Sequence, residues 1–129
     1  MKKENQELMI KLGMFEQQIQ QLRQQLQAVE ESIIEITSLN YGLDELENSA
    51  GKEILAPMGR GIFVKTKLLS DKLIVDVGGK NFVNKSIPET KKIIENQIKK
   101  LNKIKEDLNK NIEEINQELI KTISEAKEN

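Results

Sequence analysis

The run LMIKLGMFEQQIQQLRQQLQAVEESIIEI, residues 8 to 36, decides the fold of this 129-residue chain. Its apolar residues fall at Leu8, Leu12, Phe15, Ile19, Leu22, Leu26, Val29, Ile33 and Ile36, in alternating steps of four and three. That spacing keeps one seam of a supercoiled helix against a partner. A second tract repeats the rule at Ile94, Ile98, Leu101, Lys105, Leu108, Ile112, Ile115, Leu119, Thr122 and Ala126, with polar layers at Lys105 and Thr122. At about 1.5 Å of rise per residue each helix runs roughly 55 to 60 Å, so the two match in length and are expected to pair antiparallel.

Between the tracts the periodicity changes. Ile54 to Ala56, Gly61 to Leu68, Lys72 to Val77 and Asn81 to Lys85 are short runs with strand character, punctuated by Gly59-Arg60-Gly61, Ser70-Asp71 and Gly78-Gly79-Lys80. Two successive β-hairpins follow. The fold class is α+β: a long antiparallel two-helix coiled coil (helices at 5–47 and 87–127) carrying two hairpins (53–85) at its base, in one domain spanning residues 1–129. The second helix starts at Ser86-Ile87-Pro88-Glu89, a serine cap with Glu three residues on and proline in the first turn. The first helix ends at Asn48-Ser49-Ala50-Gly51.

Composition excludes several classes of function. Aromatic residues make up 3% and charged residues 32% of the chain, too few and too many for a thick globular core. Cysteine and histidine are both absent, which removes the thiolate nucleophile, the imidazole acid or base, disulfides and the usual zinc ligands. The carboxylates are spread along helix surfaces where pairing four residues apart accounts for them. The expectation is a protein that is not an enzyme, with no catalytic residue, no metal and no cofactor. The longest purely apolar runs are a few residues, and Met1-Lys2-Lys3-Glu4 leads into a polar helix, so neither a membrane span nor a signal peptide is expected and the cytoplasm is the expected compartment.

Net charge is −1, but residues 1–51, 52–85 and 86–129 carry −5, +4 and 0. Nucleic-acid binding would call for clustered arginine and stacking aromatics, and Arg23 and Arg60 are the two arginines present. Lys65, Lys67, Lys72 and Lys80 read instead as solvated residues that discourage indiscriminate edge pairing.

Three features of the coiled coil stand out. Beyond Ile36 the seam resumes at Leu39, Leu43 and Leu46, so two steps of three meet at Ile36 and predict a local phase shift. Tyr41-Gly42 in the same region is either a bend or a tolerated glycine, at about 1 kcal/mol relative to alanine. Lys105 is expected opposite Val29 with its ammonium reaching Glu30 or Glu31, either as a register device or as one weakened layer.

Four short strands bury too little apolar area to form a stable sheet alone. Ile54, Leu55, Ile62, Phe63, Val64, Leu68, Leu73, Val75, Val77 and Phe82 are therefore the expected oligomerisation residues, closing strands of several chains into a β-barrel or an extended sheet.

Glu53 to Lys65, then Leu73 to Gly78, then Phe82-Val83-Asn84-Lys85-Ser86 at the head of the second helix together resemble the archaeal prefoldin α class, over essentially the whole chain. That resemblance implies an ATP-independent chaperone whose base strands form β-barrels in a hexamer of two α and four β-type subunits. Its helical tentacles would hold unfolded proteins and pass them to a group II chaperonin. The class includes a filament-forming γ-type paralogue, and Gly78-Gly79-Lys80-Asn81-Phe82 departs from the Gly-x-Gly-aromatic turn of many α subunits, which leaves the subtype open.

The tips are the expected client-binding region. Met9, Ile10 and Met14 lie beside Leu8, Leu12 and Phe15, so apolar residues surround the helix where a coiled coil needs a stripe. Ile120 and Ile123 beside Leu119 extend the patch, unless these residues merely close a frayed end. The function read from the sequence is a chaperone subunit that binds unfolded polypeptide at these tips, forming homo-oligomers or assemblies with β-type subunits. The alternative is a structural coiled-coil protein that assembles into filaments through its strands. Nucleic acid and membrane are not expected partners.

Overall fold

The computed structural model describes residues 2–128. Its elements are α1 (Lys2–Leu46), β1 (Glu53–Gly59), β2 (Ile62–Lys67), β3 (Leu73–Asp76), β4 (Phe82–Lys85) and α2 (Ile87–Glu128). By contacts the chain divides into two compact units. One holds the residues up to Ile34 with those from Lys99 onward, and the other spans Glu35–Ile98.

In the first unit α1 and α2 pack antiparallel along the expected seam. Ile19, Leu108 and Ile112 are buried, and Leu8, Leu12, Phe15, Leu22, Leu26, Val29, Ile115 and Leu119 are half-buried between the helices. Lys105 Nζ lies 3.9 Å from Glu30 Oε1. Its stem therefore fills a seam layer while its charge reaches an acid on the opposite helix, a common arrangement for a long cationic side chain. The last expected layer, Ala126, is exposed, so the half-buried row of α2 ends at Thr122. A methyl group has too little apolar area to hold the terminal turn of a helix closed.

The second unit is built around Leu43, Ile87 and Ile94, with Ile36, Leu46, Leu73 and Ile98 packed against them. Ile87 is the most enclosed side chain, at 2% exposure. It opens the seam of α2 two turns before Ile94, where the heptad pattern starts. The phase shift predicted at Ile36 is not there. Leu39 is 52% exposed, and Asn40 takes the seam position between Ile36 and Leu43. Keeping the four–three alternation through Leu43 leaves a polar residue in the layer, and regular phase outweighs the gain from burying Leu39. The second step of three falls instead at Leu43–Leu46, in the last turn. The cost is visible: Asn40 Oδ1 is buried without a hydrogen-bond partner. α1 continues through Tyr41 and Gly42 without a break, and a Cβ at Gly42 would meet open space, so the glycine is tolerated in a helix.

The ends of both helices follow from local chemistry. After Leu46, Asn48 adopts a φ of 60° and Gly51 a φ of 86°, and the Ser49 amide and hydroxyl donate to the carbonyls of Leu46 and Glu45 at 3.1 and 2.9 Å. The left-handed residues turn the chain while the serine satisfies carbonyls that the helix leaves open. At α2 the Glu89 amide donates to Ser86 Oγ at 3.2 Å, the expected cap. Lys91 bonds Asp44 across the helices, and that hydrogen bond holds its ammonium above the ordinary lysine range against an opposing effect of burial. The contribution is complete at neutral pH and is lost as pH rises through the lysine range.

β1 and β2 form one antiparallel sheet and β3 and β4 another. In the first, Ile54 pairs with Thr66 and Ala56 with Val64, and the register shifts between Pro57 and Gly59 where Met58 bulges. Pro57 fits because a two-stranded ribbon leaves every strand one open edge. Gly51 and Lys52 prolong the ladder through bonds with Leu68. In the second sheet Val75 pairs with Val83, and the turn carries Gly78, Gly79 and Lys80 all at positive φ, with the Gly78 amide donating to Asp76 Oδ1 at 2.9 Å.

Two substitutions test this account of the seam. Ile87→Ala should lower the unfolding free energy by about 2 to 4 kcal/mol, as expected for an enclosed isoleucine. Asn40→Leu should raise it by about 1 kcal/mol, because it removes an unpaired buried oxygen and completes an apolar layer. Chemical denaturation of each variant followed by circular dichroism gives both values, and an Asn40→Leu variant less stable than the parent would show that the asparagine is paired in solution.

Candidate functional site

Two sets of exposed apolar side chains stand out, one in each unit, beside single exposed residues such as Ile34, Leu39, Tyr41, Ile93 and Ile104 on the helices. In the first unit, Met9, Ile10 and Met14 on α1 are 69%, 65% and 57% exposed. Ile120 and Ile123 on α2 are exposed as well. Leu8, Leu12, Phe15 and Leu119, expected as part of the same surface, are half-buried in the seam and so lie beneath it. The cause is angular. At about 100° per residue Met9 points roughly 100° and Ile10 roughly 200° away from Leu8, so neither can join the seam that Leu8 occupies. The groove at this end is lined by Glu4, Leu8 and Lys11 of α1 and by Thr122, Glu125 and Ala126 of α2, which places the start of α1 beside the end of α2. Met9, Ile10, Met14, Ile120 and Ile123 lie within a few turns of this end, outside the groove itself.

Methionine is the side chain suited to a surface without a fixed partner. It is unbranched and polarizable, and its rotamers interconvert readily. An exposed cluster of this kind is an adhesive patch with little shape preference.

In the second unit the hairpins are almost entirely solvated. Leu55, Ile62, Phe63, Val64, Val77 and Phe82 are exposed, while Ile54, Leu68, Leu73 and Val75 are half-buried. Met58, Leu69, Ile74 and Val83, which are not among the expected interface residues, are exposed too. Ile74 and Val83 were recoverable, because they sit on strands already identified and alternation assigns each a face. Met58 was hidden in the turn-like Pro57-Met58-Gly59 and becomes visible through the bulge. The pairing gives each sheet two apolar faces. Ala56 and Val64 share one face of the first sheet, and Leu55 and Phe63 lie on the other. Neither sheet is long enough to cover itself. The Glu53–Lys65 contact at 3.9 Å is solvated at both ends and contributes little.

Among the described residues no group of three or more acidic side chains converges as a metal site would require, and no helix is long and apolar enough to cross a membrane.

Comparison with known proteins gives this arrangement a context. A family model described as prefoldin subunit matches residues 15–129. The chain is 29% identical over 89 residues to prefoldin subunit alpha of Methanosphaera stadtmanae, covering 69% of this chain and 64% of that protein. It is 32% identical over 92 residues to prefoldin subunit alpha of Methanobrevibacter smithii, covering 70% and 63%. The matches thus span just under two thirds of these relatives. Among solved structures, a chain of the filamentous PFD from Methanocaldococcus jannaschii, determined by cryo-electron microscopy, superimposes with a TM-score of 0.73 at 28% identity, over 86% of this chain and 93% of that one.

The hairpin surface makes a direct prediction. In an isolated chain Val64 is exposed and a charge there is nearly free, whereas in an interface between chains it would be desolvated at a cost of several kcal/mol. Val64→Asp should therefore dissociate the assembled protein in sedimentation while leaving the helical circular dichroism signal in place. A variant that assembles like the parent would remove the hairpins as the assembly element.

Proposed function

The chain belongs to the prefoldin family, and from that premise we propose that it is an ATP-independent chaperone subunit which holds unfolded polypeptides on the apolar residues gathered where α1 begins and α2 ends. Met9, Ile10, Met14, Ile120 and Ile123 make the contact, above a seam of Leu8, Leu12, Phe15 and Leu119. The observation that carries this reading is the exposure of Met9, Ile10 and Met14 on a helix whose pairing is already complete without them. A helix that only paired would carry polar residues there. Each client contact is weak, and several copies acting together supply the retention.

The hairpin residues join this chain to further copies or to β-type subunits. A group II chaperonin is the proposed recipient of the client, and the cytoplasm the proposed compartment. The second reading, a coiled-coil protein whose purpose is assembly into filaments, is favoured by the similarity to a chain of a filamentous prefoldin. The two are compatible: assembly uses the strands and capture uses the helix ends. Nucleotide, metal and nucleic acid have no part in either.

Replacing Met9, Ile10, Met14 and Ile123 together with serine or glutamine tests the capture site. The amount of protein needed for half-suppression of aggregation of an unfolded client should rise about tenfold, equivalent to about 1.4 kcal/mol of lost contact. Helicity and oligomer size should not change, and no nucleotide should be needed at any point. Undiminished suppression by this variant would refute capture at the helix ends.

A further inference from the structure

Seven of the eleven residues from Gln17 to Gln27 are glutamine, and Arg23 is the single charge among them. The rest of α1 is different: Glu30, Glu31, Glu35, Asp44, Glu45 and Glu47 follow within twenty residues. Solubility alone does not account for the change, since charged side chains serve it better and form helix equally well.

Position is more telling than number. Gln18, Gln21 and Gln25 succeed one another at steps of three and four, so they form one row on α1. Ile10 and Met14 prolong that row toward the start of the helix, and Ala28 and Ser32 prolong it the other way, so that from Ile10 to Ser32 it holds no charge. Gln18, Gln21 and Gln25 are exposed and, with Asn111 of α2, line a groove of about 340 Å³ whose floor is Leu22 and Ile115, with Glu114 at its edge. A second opening of about 210 Å³, bounded by Met14, Gln17, Gln18 and Gln21, lies on the same side of α1 toward the exposed methionines. Among the described residues none of the three row glutamines is hydrogen-bonded to another side chain, whereas Gln27 is held by Glu31 at 3.3 Å.

A primary amide offers two N–H donors and a carbonyl acceptor, the same complement as a peptide unit. Unpaired backbone amides are the one feature that all unfolded polypeptides share, whatever their side chains, and they carry no net charge. A groove lined mostly by amides, with an apolar floor and Glu114 as its one charged lining residue, matches that chemistry: the amides meet the backbone while Leu22 and Ile115 meet its side chains. We propose that Gln18, Gln21, Gln25 and Asn111 form a track that hydrogen-bonds the main chain of an extended segment of a non-native polypeptide, continuing from the apolar contact at Met9, Ile10 and Met14. The track rests on the client-capture reading and adds to it a sequence-independent component.

The test uses the full assembled protein and two probes, an extended apolar peptide and the same peptide N-methylated at alternate amides, which keeps the side chains and deletes backbone donors. The parent should bind the unmethylated peptide roughly tenfold more tightly, the equivalent of one or two net hydrogen bonds. In Q18A/Q21A/Q25A, where alanine preserves the helix, that preference should vanish while affinity for the methylated peptide stays. Equal binding of both probes by the parent, or a preference undiminished in the variant, would overturn the track. A change of oligomer size in the variant would overturn it too, assigning the row to contact between copies. Loss of affinity for both probes in the Met9, Ile10, Met14 and Ile123 variant, with the glutamine variant behaving as the parent, would leave capture standing and the track refuted. If neither variant lost affinity, capture itself would fall.

Discussion

A pair of helices that touch along one seam can hide only a stripe of each, and everything else about this chain follows from that limit. Among the described residues the buried apolar side chains are Ile19, Leu43, Ile87, Ile94, Leu108 and Ile112, and no polar residue is buried as a whole. A globular domain of this length would enclose several times as many. The remaining apolar residues must therefore face water, another copy of the chain or a client. Some stand singly on the helices, such as Ile34, Leu39, Tyr41, Ile93 and Ile104. Most of the others lie on the hairpins of one unit and near the start of α1 and the end of α2 in the other, and concentrated exposure of this kind marks surfaces that meet something.

The seam also shows how a coiled coil handles residues that do not suit it. Lys105 and Asn40 both occupy layers that leucine would fill better. The lysine reaches out of its layer to Glu30, so its charge stays in water and its methylenes do the packing. The shorter asparagine cannot reach out, and its carbonyl oxygen is left unpaired. Polar layers lower stability while penalising shifted pairings, since a displaced register would set the amide against an aliphatic side chain.

Much of this was legible in the sequence because period and punctuation are strong local signals. The seam from Leu8 to Ile36, the Ser86 cap, the three turns and the reach of Lys105 to Glu30 all depend on residues within a few positions of one another or on simple antiparallel counting. The readings that failed depended on competition between distant terms. Leu39 looked like a seam residue by type, and only the phase inherited from nine preceding layers places Asn40 there instead. Ile87 looked like the residue after a cap, and its enclosure depends on Leu43 arriving from the other helix. The half-buried positions of Leu8, Leu12, Phe15 and Leu119 follow from the same point: a list of apolar residues near a helix end does not say which of them pairing consumes. The row of glutamines carries no signal in the sequence because hydropathy treats amides as neutral surface, and only the fold sets Asn111 and Ile115 across the groove from it.

Under the proposed function, weakness at the capture surface and strength at the hairpins are complementary demands. A chaperone that must release its client cannot hold it through one tight, shape-matched site, so flexible methionine and adaptable amides suit the task better than a rigid pocket. Retention then comes from number, because a second weak contact made by a neighbouring copy is effectively intramolecular. That multiplies affinity only if the copies are held together, a burden the same proposal places on the exposed Leu55, Ile62, Phe63, Val64, Ile74 and Phe82 and on the open edges of two separate sheets. Two different hairpins give two different edges, and a contact between unlike edges closes into a ring or runs on as a fibre according to its rotation alone. On this view ring and filament are two geometric outcomes of one requirement, that exposed strands be covered by strands from other chains while the helix ends stay free.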